Sequence, residues 1–306
     1  MNTTKNKTIN TAKKPQNHQI ILTTVLVLFT LICLTPILLV VIGSVSAETS
    51  ISEKGLSLFP NAFSLDGWKY VMQFSGQIIQ SYKITLYEVI VGTLITLLFT
   101  SMFAYALSRR DWVLHRFWSI FLLITMLFHG GMVASYIVNT NIYHLKNNLL
   151  ILVLPGAVSA YNCIVMRTFI QSNVPDSLIE SAKIDGASEM YLFFRIVLPL
   201  MKPTLAAIGF MTAIAHWNEW QTSMLYINDA DKATLQLLLI RIENNLDYLR
   251  NNIATLTPDE IKQLNNAPSD SMRMAILCVV MGPILVVYPF FQRYFVKGIT
   301  IGAVKG

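Results

Sequence analysis

The stretch Ser177–Pro199, SLIESAKIDGASEMYLFFRIVLP, is a charged, glycine-punctuated segment that lies between two long apolar runs. Asp176 and Glu180 lie at a predicted helix start, where negative charge suits the positive end of the helix dipole. Gly186 is suited to the left-handed conformation that ends a helix. A second short helix is predicted from Ser188 to about Val197. The stretch therefore predicts a helix–turn–helix element in an otherwise apolar chain.

The first predicted helix has two distinct faces. Asp176, Glu180 and Lys183 recur at i, i+4 and i+7 and therefore share one face. The apolar side chains of the same helix form another face, made of Leu178, Ile179 and Ala182. We expect the element to show one face to the membrane side and the other to water.

The composition of the whole chain indicates a membrane protein. Of its 306 residues, 54% are hydrophobic and only 13% are charged, whereas soluble domains average about 25% charged residues. Cys33, Cys163 and Cys278 all lie inside apolar runs and form no CxxC pair, so neither a disulfide framework nor a zinc site is indicated. The net charge of +6 does not indicate nucleic acid binding, because the basic residues flank the apolar runs.

The apolar residues are grouped into runs long enough to cross a bilayer, which takes about 20 residues. Six runs qualify: Ile20–Ser46, Ile84–Leu107, Phe117–Val138, Leu149–Phe169, Pro203–Ile227 and Met274–Phe295. The sequence therefore predicts an all-α membrane protein with six transmembrane helices. The first run ends in SVSA at Ala47, which resembles a signal-peptidase site. Because that run exceeds the roughly 7–15 residues of a signal peptide, we interpret it as an uncleaved span, with cleavage as the alternative.

The basic residues predict the orientation of the spans, because positive charge is enriched on the cytoplasmic side. An even number of spans puts both termini on one side, and 14 of the 23 basic residues lie there. They are Lys5, Lys7, Lys13, Lys14, Arg109, Arg110, Arg116, Arg167, Lys183, Arg195, Lys202, Arg293, Lys297 and Lys305. We therefore predict cytoplasmic termini, with the loops at 47–83, 139–148 and 228–272 outside. The basic residues are interpreted as topology signals.

The outer loops contain two predicted helices. Phe63–Met72, FSLDGWKYVM, has apolar residues at helical intervals and suits the membrane surface. In TPDEIKQL, Thr257 is a candidate N-cap, Pro258 occupies the first helical position and Glu260 closes a capping box. These patterns predict a folded outer cap.

The motif HWNEW in the fifth run holds the candidate residues for a translocation path: Trp217, Asn218, Glu219 and Trp220. An ionisable residue within a span is expensive and usually faces a cavity or a partner. Trp217, Trp220 and Met224 recur at helical spacing, and aromatic faces beside amide and carboxylate groups suit a sugar. The alternative is that the tryptophans anchor the outer interface and that Glu219 braces the following loop. Glu88, early in the second run, is a weaker candidate of the same kind.

A family resemblance is carried by ESAKIDG, then nine residues, then IVLP. This pattern resembles the EAA signature of ABC importer permeases. The matching positions are Glu180, Ala182, Gly186, Ile196, Leu198 and Pro199, with Ser181 in place of the commoner alanine. AYALSRR, FHGGM, HWNEW, LYINDADKATLQLLL and YPFFQRYFVKGITIGAVKG also resemble permeases of binding-protein-dependent oligosaccharide and polysaccharide importers, relatives of the inner maltose-transporter permease. The resemblance runs from about residue 20 to the end and is poor around 245–270. Ala134 also departs from a proline that is common in this group.

The resemblance implies a type I ABC importer (MetI-like) permease fold, with a cytoplasmic tail at 1–19, a six-helix domain at 20–296 and a second tail at 297–306. It implies that the segment 174–202 docks on a separate ATPase, with Glu180 paired to a basic residue there. The implied coupling residues are Glu180, Ser181, Ala182, Asp185, Gly186, Ala187, Ile196, Leu198 and Pro199. The alternative for Glu180 is a carboxylate that only offsets the helix dipole, worth ~0.3–1 kcal/mol.

The chain has no G-x-x-x-x-G-K-[ST] phosphate loop. We therefore expect it to be a non-catalytic subunit that holds no cofactor or metal, with ATP and Mg²⁺ bound by the partner ATPase.

The resemblance also implies a set of partners in the cytoplasmic membrane. These are a second homologous permease that forms a heterodimer, two copies of the ATPase, an extracellular lipid-anchored solute-binding protein, an oligosaccharide and membrane lipid, but no nucleic acid. The C-terminal residues Lys297, Gly298, Lys305 and Gly306 would reach between the ATPase subunits. Their alternative is a frayed end whose lysines contact anionic lipid.

Other protein classes fit the same residues less well. A six-span channel or secondary carrier would be expected to show intramembrane acid or histidine relays and internal repeats, and the deep spans carry almost no ionisable groups. For a membrane enzyme, the five histidines form no HExxH and no credible Ser/His/Asp constellation. An ABC importer of a solute other than sugar remains open.

Overall fold

The fold is helical throughout the part of the chain that the computed structural model describes, which comprises residues 17–109, 111–251, 257 and 269–303. Within those residues the β-structure is one isolated antiparallel bridge between Ser46 and Phe63. The predicted all-α class is therefore confirmed for them. The N-terminal tail up to residue 16 and the capping box around Pro258 and Glu260 lie outside the described residues.

Two compact units make up the chain. The first comprises residues 1–68 and 268–278, and the second comprises residues 69–267 and 279–306. Helices α1 (Asn17–Ser44) and α2 (Glu48–Lys54) belong to the first unit. There the Glu48 carboxylate accepts hydrogen bonds from the backbone N–H groups of Asp270 and Ser271, at 3.0 and 3.1 Å. It therefore stabilises the first turn of α15 (Ser269–Ala303), where unpaired N–H groups and the helix dipole favour a negative charge.

The remaining helices lie between α2 and α15 along the chain. They are α3 (Asp66–Gln73), α4 (Ser75–Tyr87), α5 (Thr93–Ser108), α6 (His115–Leu127), α7 (Gly131–Ile137), α8 (Ala160–Asn173), α9 (Asp176–Ile184), α10 (Glu189–Tyr191), α11 (Leu198–Leu200), α12 (Lys202–Trp217), α13 (Gln221–Tyr226) and α14 (Leu235–Asn251). Short 3₁₀ turns occur at Leu149–Leu152 and Ala230–Lys232. Helix α3 overlaps the helical pattern predicted for Phe63–Met72, beginning three residues later and ending one residue later.

Three π-helical segments interrupt or extend these helices: Glu88–Gly92 between α4 and α5, Val138–Ile142 after α7, and Leu192–Val197 between α10 and α11. A π segment fits an extra residue into a helical turn, and such segments are frequent at functional sites. The first of them contains Glu88, which is a candidate residue from the sequence.

The described helices include three that are long and apolar enough to cross a membrane, at Gln19–Ser44, Ser75–Ser108 and Asp270–Val287. Two helix pairs pass the same test together but are sharply bent. His115–Leu127 with Gly131–Ile142 is bent by 115°, and Glu189–Leu200 with Lys202–Trp217 by 80°. Up to five spans are therefore visible by length and composition, where the sequence predicts six.

The predicted span Phe117–Val138 is interrupted at the 115° bend. Two further predicted spans also differ from the structure in their continuity. The run Leu149–Phe169 is a 3₁₀ turn, then a non-helical stretch, and α8 starts only at Ala160. Pro155 and Gly156 lie in that stretch, and proline and glycine disfavour a continuous helix. The run Pro203–Ile227 is also broken, because α12 ends at Trp217 and α13 begins at Gln221. Neither run is one straight helix.

A buried apolar cluster packs α9 and the π segment Leu192–Val197 onto the membrane helices. It joins Ile179 of α9 and Phe193 to Tyr105 of α5 and Met166 of α8. The rings of Tyr105 and Phe193 lie 5.6 Å apart. This cluster fixes the position of α9 against the end of α5.

Candidate functional site

Helix α9 has the start and the end that the sequence predicts. It begins at Asp176, directly after Pro175. At its end the Ala187 N–H donates to Ala182 O and the Gly186 N–H donates to Lys183 O, both at 3.0 Å. This is the Schellman arrangement, which requires a left-handed residue after the helix. Gly186 supplies it with a φ of 80°.

The residues of the sequence signature divide between an exposed and a packed group. Glu180, Ser181 and Asp185 are exposed, and the Ile184 side chain is 86% exposed. Ala182, Ala187, Ile196 and Leu198 instead pack against the buried cluster around Phe193. Gly186 and Pro199 are exposed. Helix α9 is therefore held by one side. It leaves uncovered a polar face and two large apolar side chains, Ile184 and the 41% exposed Leu178.

A polar network joins α9 to the end of α5. Asp111 Oδ2 accepts from Arg109 at 2.8 Å and from Lys183 Nζ at 3.0 Å. Lys183 Nζ also lies 2.8 Å from Glu189 Oε1, and the Tyr105 hydroxyl donates to Glu189 Oε2 at 2.5 Å. These five residues link α5, α9 and α10 at one end of the second unit.

Hydrogen bonds set the ionisation of this network. Those from Arg109 and Lys183 lower the pKa of Asp111 to about 2. Those with Glu189 and Asp111 raise the pKa of Lys183. Both groups are therefore charged at neutral pH.

A cavity of about 330 Å³ lies beside this network. Its wall includes Asp176, Glu180 and Lys183 from the predicted charged face of α9, together with Arg109 and Asp111. The face that the i, i+4, i+7 spacing predicts therefore borders a polar cleft, and Glu180 lies at the edge of the exposed surface of α9.

A second cavity, of about 350 Å³, lies among the membrane helices of the second unit. It is lined by Glu88, Thr96, Ile151, Leu152, Pro155, Gly156, Ser159, Asn162, Met211, Thr212, Ala215, His216, Glu219 and Thr222. More than half of these residues are polar. The cavity falls within the range of about 300–1,000 Å³ that is typical of small-molecule sites.

Glu88 and His216 form a buried pair in the wall of this membrane cavity. Glu88 is 0% exposed, and its Oε1 lies 3.3 Å from His216 Nδ1. In the described part of the chain, Glu88 Oε2 has no hydrogen-bond partner. Gly92 makes the pair possible, because a Cβ at this position would come 2.7 Å from His216 Nε2.

The tryptophans of HWNEW do not lie on one face of a single helix. The predicted stripe of Trp217, Trp220 and Met224 is wrong, because the helix ends at Trp217 and a new one begins at Gln221. Trp217 is 6% exposed and packs near Tyr82, whereas Trp220 is 40% exposed.

Of the four candidate residues in this motif, Trp217, Asn218 and Trp220 are not among the residues that line the membrane cavity, whereas Glu219 is. The Asn218 side chain donates to Ile214 O of its own helix. Glu219 Oε1 accepts from the Thr222 N–H at 2.7 Å. Glu219 therefore borders the membrane cavity and also caps α13.

The pairing of Glu88 with His216 was not predicted, although each residue is an ionisable group inside an apolar run. At the other end of the chain, Lys297 and Gly298 lie on the backbone of α15, whereas Lys305 and Gly306 lie outside the described residues. Among the residues that the structure describes, no group of three or more His, Cys, Asp or Glu side chains could hold a metal ion.

The sequence and the structure are similar to those of known transport proteins. Residues 85–301 match the family model described as "Binding-protein-dependent transport system inner membrane component". The chain is 36% identical to the polygalacturonan/rhamnogalacturonan transport system permease protein YtcP of Bacillus subtilis (strain 168), over 92% of this chain and 96% of that protein. It is 35% identical to protein LplC of the same organism, over 90% of each chain.

A solved structure is similar over nearly the whole chain. It is the crystal structure of a bacterial ABC transporter involved in the import of the acidic polysaccharide alginate. The match has a TM-score of 0.79 and 26% sequence identity, and it covers 91% of this chain and 96% of the matched chain.

Proposed function

The chain belongs to the family of binding-protein-dependent transport system inner membrane components, and from this premise we propose that it is the permease subunit of an ATP-driven oligosaccharide importer. It forms half of the translocation pathway and lies in the cytoplasmic membrane with both termini inside. Its domain 20–296 crosses the membrane six times, with the broken helices around Pro155 and Asn218 completing two of the passages. The hydrolysis of ATP belongs to a separate chain.

The observation that carries this function is the exposed face of α9. A short charged helix between two apolar segments, packed on one side and open on the other, suits docking against another protein. Glu180, Ser181 and Asp185 provide polar contacts, and Ile184 provides an apolar anchor. In this proposal the ATPase binds α9, and the polar network through Lys183 and Asp111 couples the movement of α9 to α5.

The membrane cavity supports the other half of the proposal. A cavity among membrane helices whose wall offers hydroxyl, amide and carboxylate groups is the kind of space in which a hydrophilic solute crosses. Glu219 borders it directly, whereas Trp217, Asn218 and Trp220 are not among its lining residues. We assign the solute as an oligosaccharide because the relatives' names refer to polygalacturonan, rhamnogalacturonan and alginate. A solute other than sugar is the alternative.

The complete importer contains further chains. A second homologous permease supplies the other half of the pathway, two ATPase copies bind ATP and Mg²⁺, and an extracellular lipid-anchored protein delivers the solute. The C-terminal residues Lys297, Gly298, Lys305 and Gly306 reach between the ATPase copies in this arrangement. The match of residues 85–301 to the family supports this set of partners.

Charge reversal at Glu180 tests the docking role. An unpaired charge in an interface costs about 2 kcal/mol or more, so Glu180→Lys should weaken ATPase binding by more than about tenfold. The measurement is co-purification of the ATPase with the permease pair, together with sugar-stimulated ATP hydrolysis in proteoliposomes.

The matched control is Asp231→Lys, which makes the same charge change at an exposed position in a predicted outer loop. It should leave ATPase binding unchanged. Normal ATPase binding and coupled hydrolysis in the Glu180→Lys complex would contradict the docking role of α9.

A further inference from the structure

A loop beside the end of α1 carries a dense group of exposed apolar side chains. Residues 55–65 form a non-helical segment between α2 and α3, which we call the apolar loop. It has no Asp, Glu, Lys or Arg, and Phe59 is 87% exposed. Its large apolar side chains that are 40% or more exposed are Leu56, Leu58, Phe59, Phe63 and Leu65. Exposed apolar patches of this kind mark surfaces that contact a membrane or another protein.

The far end of the apolar loop is paired with the chain that leaves α1. Ser46 and Phe63 form an antiparallel bridge, and the Ser64 N–H donates to Val45 O at 3.0 Å. Helix α1 ends at Ser44. Phe63, which is 73% exposed, therefore lies beside the first residues that follow this helix.

The near end of the apolar loop packs against α1 itself. A Cβ on Gly43 would come 2.9 Å from Leu56 Cδ2, so Leu56 lies against the last turn of the helix. Helix α1 has 28 residues and is apolar enough to cross a membrane. Such a helix is about 42 Å long, which matches the roughly 40–45 Å of a bilayer with its headgroups. The apolar loop is therefore held at the depth of the membrane interface.

The backbone around Phe59 is suited to leaving water. The Phe59 N–H donates to the Ser57 hydroxyl at 3.2 Å. The Asn61 N–H donates to the Ser50 hydroxyl at 3.0 Å, and Pro60 between them has no N–H to satisfy. An N–H group without a partner is costly in a bilayer. The turn that carries Phe59 can therefore enter the interface with these donors already paired.

We propose that the apolar loop is a membrane-interface anchor, in which Phe59 and Phe63 insert among the lipids that surround the end of α1. Aromatic side chains are enriched at this depth, and interfacial segments bury their apolar side chains about 5–10 Å into the boundary between headgroups and acyl chains. This inference rests on the membrane location of the chain and goes beyond the transport function. It concerns neither the solute nor the ATPase.

A soluble protein partner fits the apolar loop less well. Charged and polar groups give a docking surface its specificity and steer its partner, whereas the loop itself is uncharged. The charged residues at its two ends are engaged locally, since Lys54 donates to Asn61 at 2.9 Å and Asp66 accepts from the Ser64 hydroxyl at 2.6 Å. Insertion into lipid needs no charge from the loop.

Photocrosslinking from the apolar loop tests the proposal, because it identifies what the loop touches. Phe59 is replaced by the photoreactive amino acid benzoylphenylalanine in the full chain, within its complex in native membranes. After irradiation, mass spectrometry measures lipid adducts on this chain, and electrophoresis detects crosslinks to other proteins. Since burial of a Phe side chain is favoured by roughly tenfold or more over exposure to water, lipid should be the main product.

Two positions calibrate the yield of lipid adduct. Phe29 in α1 is 64% exposed within a membrane helix and provides the reference for full lipid contact. Ser52 is exposed on α2 and is the matched control in the neighbouring element. With the same photoreactive group, the yield at Phe59 should approach that at Phe29 and exceed that at Ser52 by about tenfold.

The same substitution at Phe63 provides a second reading where the complex altered at Phe59 does not assemble. A main crosslink to the solute-binding protein or to the second permease would overturn the proposal. So would a lipid yield no higher than at Ser52. Sugar uptake by the unsubstituted complex is a separate measurement, so failure of the anchor leaves the proposed transport function standing.

Discussion

At the scale of single residues, the absence of a side chain at Gly92 allows His216 to approach Glu88. His216 fills the space that a Cβ would occupy and reaches Glu88 from there. Replacing Gly92 by Ala should push the imidazole away, since the new methyl group would lie 2.7 Å from His216 Nε2. Overpacking of this kind costs about 1–3 kcal/mol. The thermal unfolding midpoint of the purified permease pair should fall accordingly.

Gly76→Ala is the matched control for this change. Gly76 is a helical glycine in the same long helical segment, and a Cβ there would meet nothing within 4 Å. It should therefore be neutral or stabilise by up to ~1 kcal/mol, because alanine favours helix. Equal effects of the two substitutions would mean that Gly92 does not position His216.

Single residues also show what the sequence could and could not predict. Gly186 was predicted as a left-handed helix end, because the helix pattern before it and the glycine are adjacent in the chain. The Glu88–His216 pair was missed, because its members lie 128 residues apart in sequence. Hydrophobic periodicity predicts which side chains share a face of one helix. It does not predict which other helix packs against that face.

At the scale of elements, α9 depends on its final turn to present its exposed face. Gly186→Ala puts a Cβ at a φ of 80°, where L-residues lose roughly 1–2 kcal/mol. We expect the turn into α10 to be distorted and the ATP hydrolysed per sugar imported to rise. Gly186→Asn should restore most of the coupling, because asparagine tolerates this conformation. A variant with Ala that couples as well as wild type would show that the left-handed turn is dispensable.

The sequence predicts well where the apolar runs lie in the chain, but it does not predict where the helices within them break. A composition count finds each run, but the breaks at Pro155 and around Asn218 depend on local backbone and tertiary packing. In the second case the Glu219 carboxylate starts a new helix by accepting from the Thr222 N–H. The predicted tryptophan stripe failed for that reason, since helical spacing holds only within one helix.

At the scale of the whole molecule, the predicted orientation is open to a direct test. Ser172 lies at the end of α8 beside α9, and Asn228 follows α13; both are exposed. A membrane-impermeant maleimide should label Asn228→Cys in intact cells and Ser172→Cys only in inverted vesicles. The distribution of basic residues provides the reason.

The unsubstituted chain is the control for that experiment, since it carries the three native cysteines alone. Labelling of Ser172→Cys from outside, or of both positions from one side, would contradict cytoplasmic termini and an even number of spans.

The π segments have a consequence for how such chains can change in length. Each of them holds one residue more than an α-helix of the same height. Deleting one residue from Glu88–Gly92 would convert that segment to regular helix without breaking it. Residues on either side would keep their places, because the residue removed is the extra one that the wider turn holds. With the deletion between them, Glu88 and Gly92 would lie three residues apart instead of four and would still share one side of the helix. A shortened homologue could therefore retain both its membrane helix and the approach of Glu88 to His216.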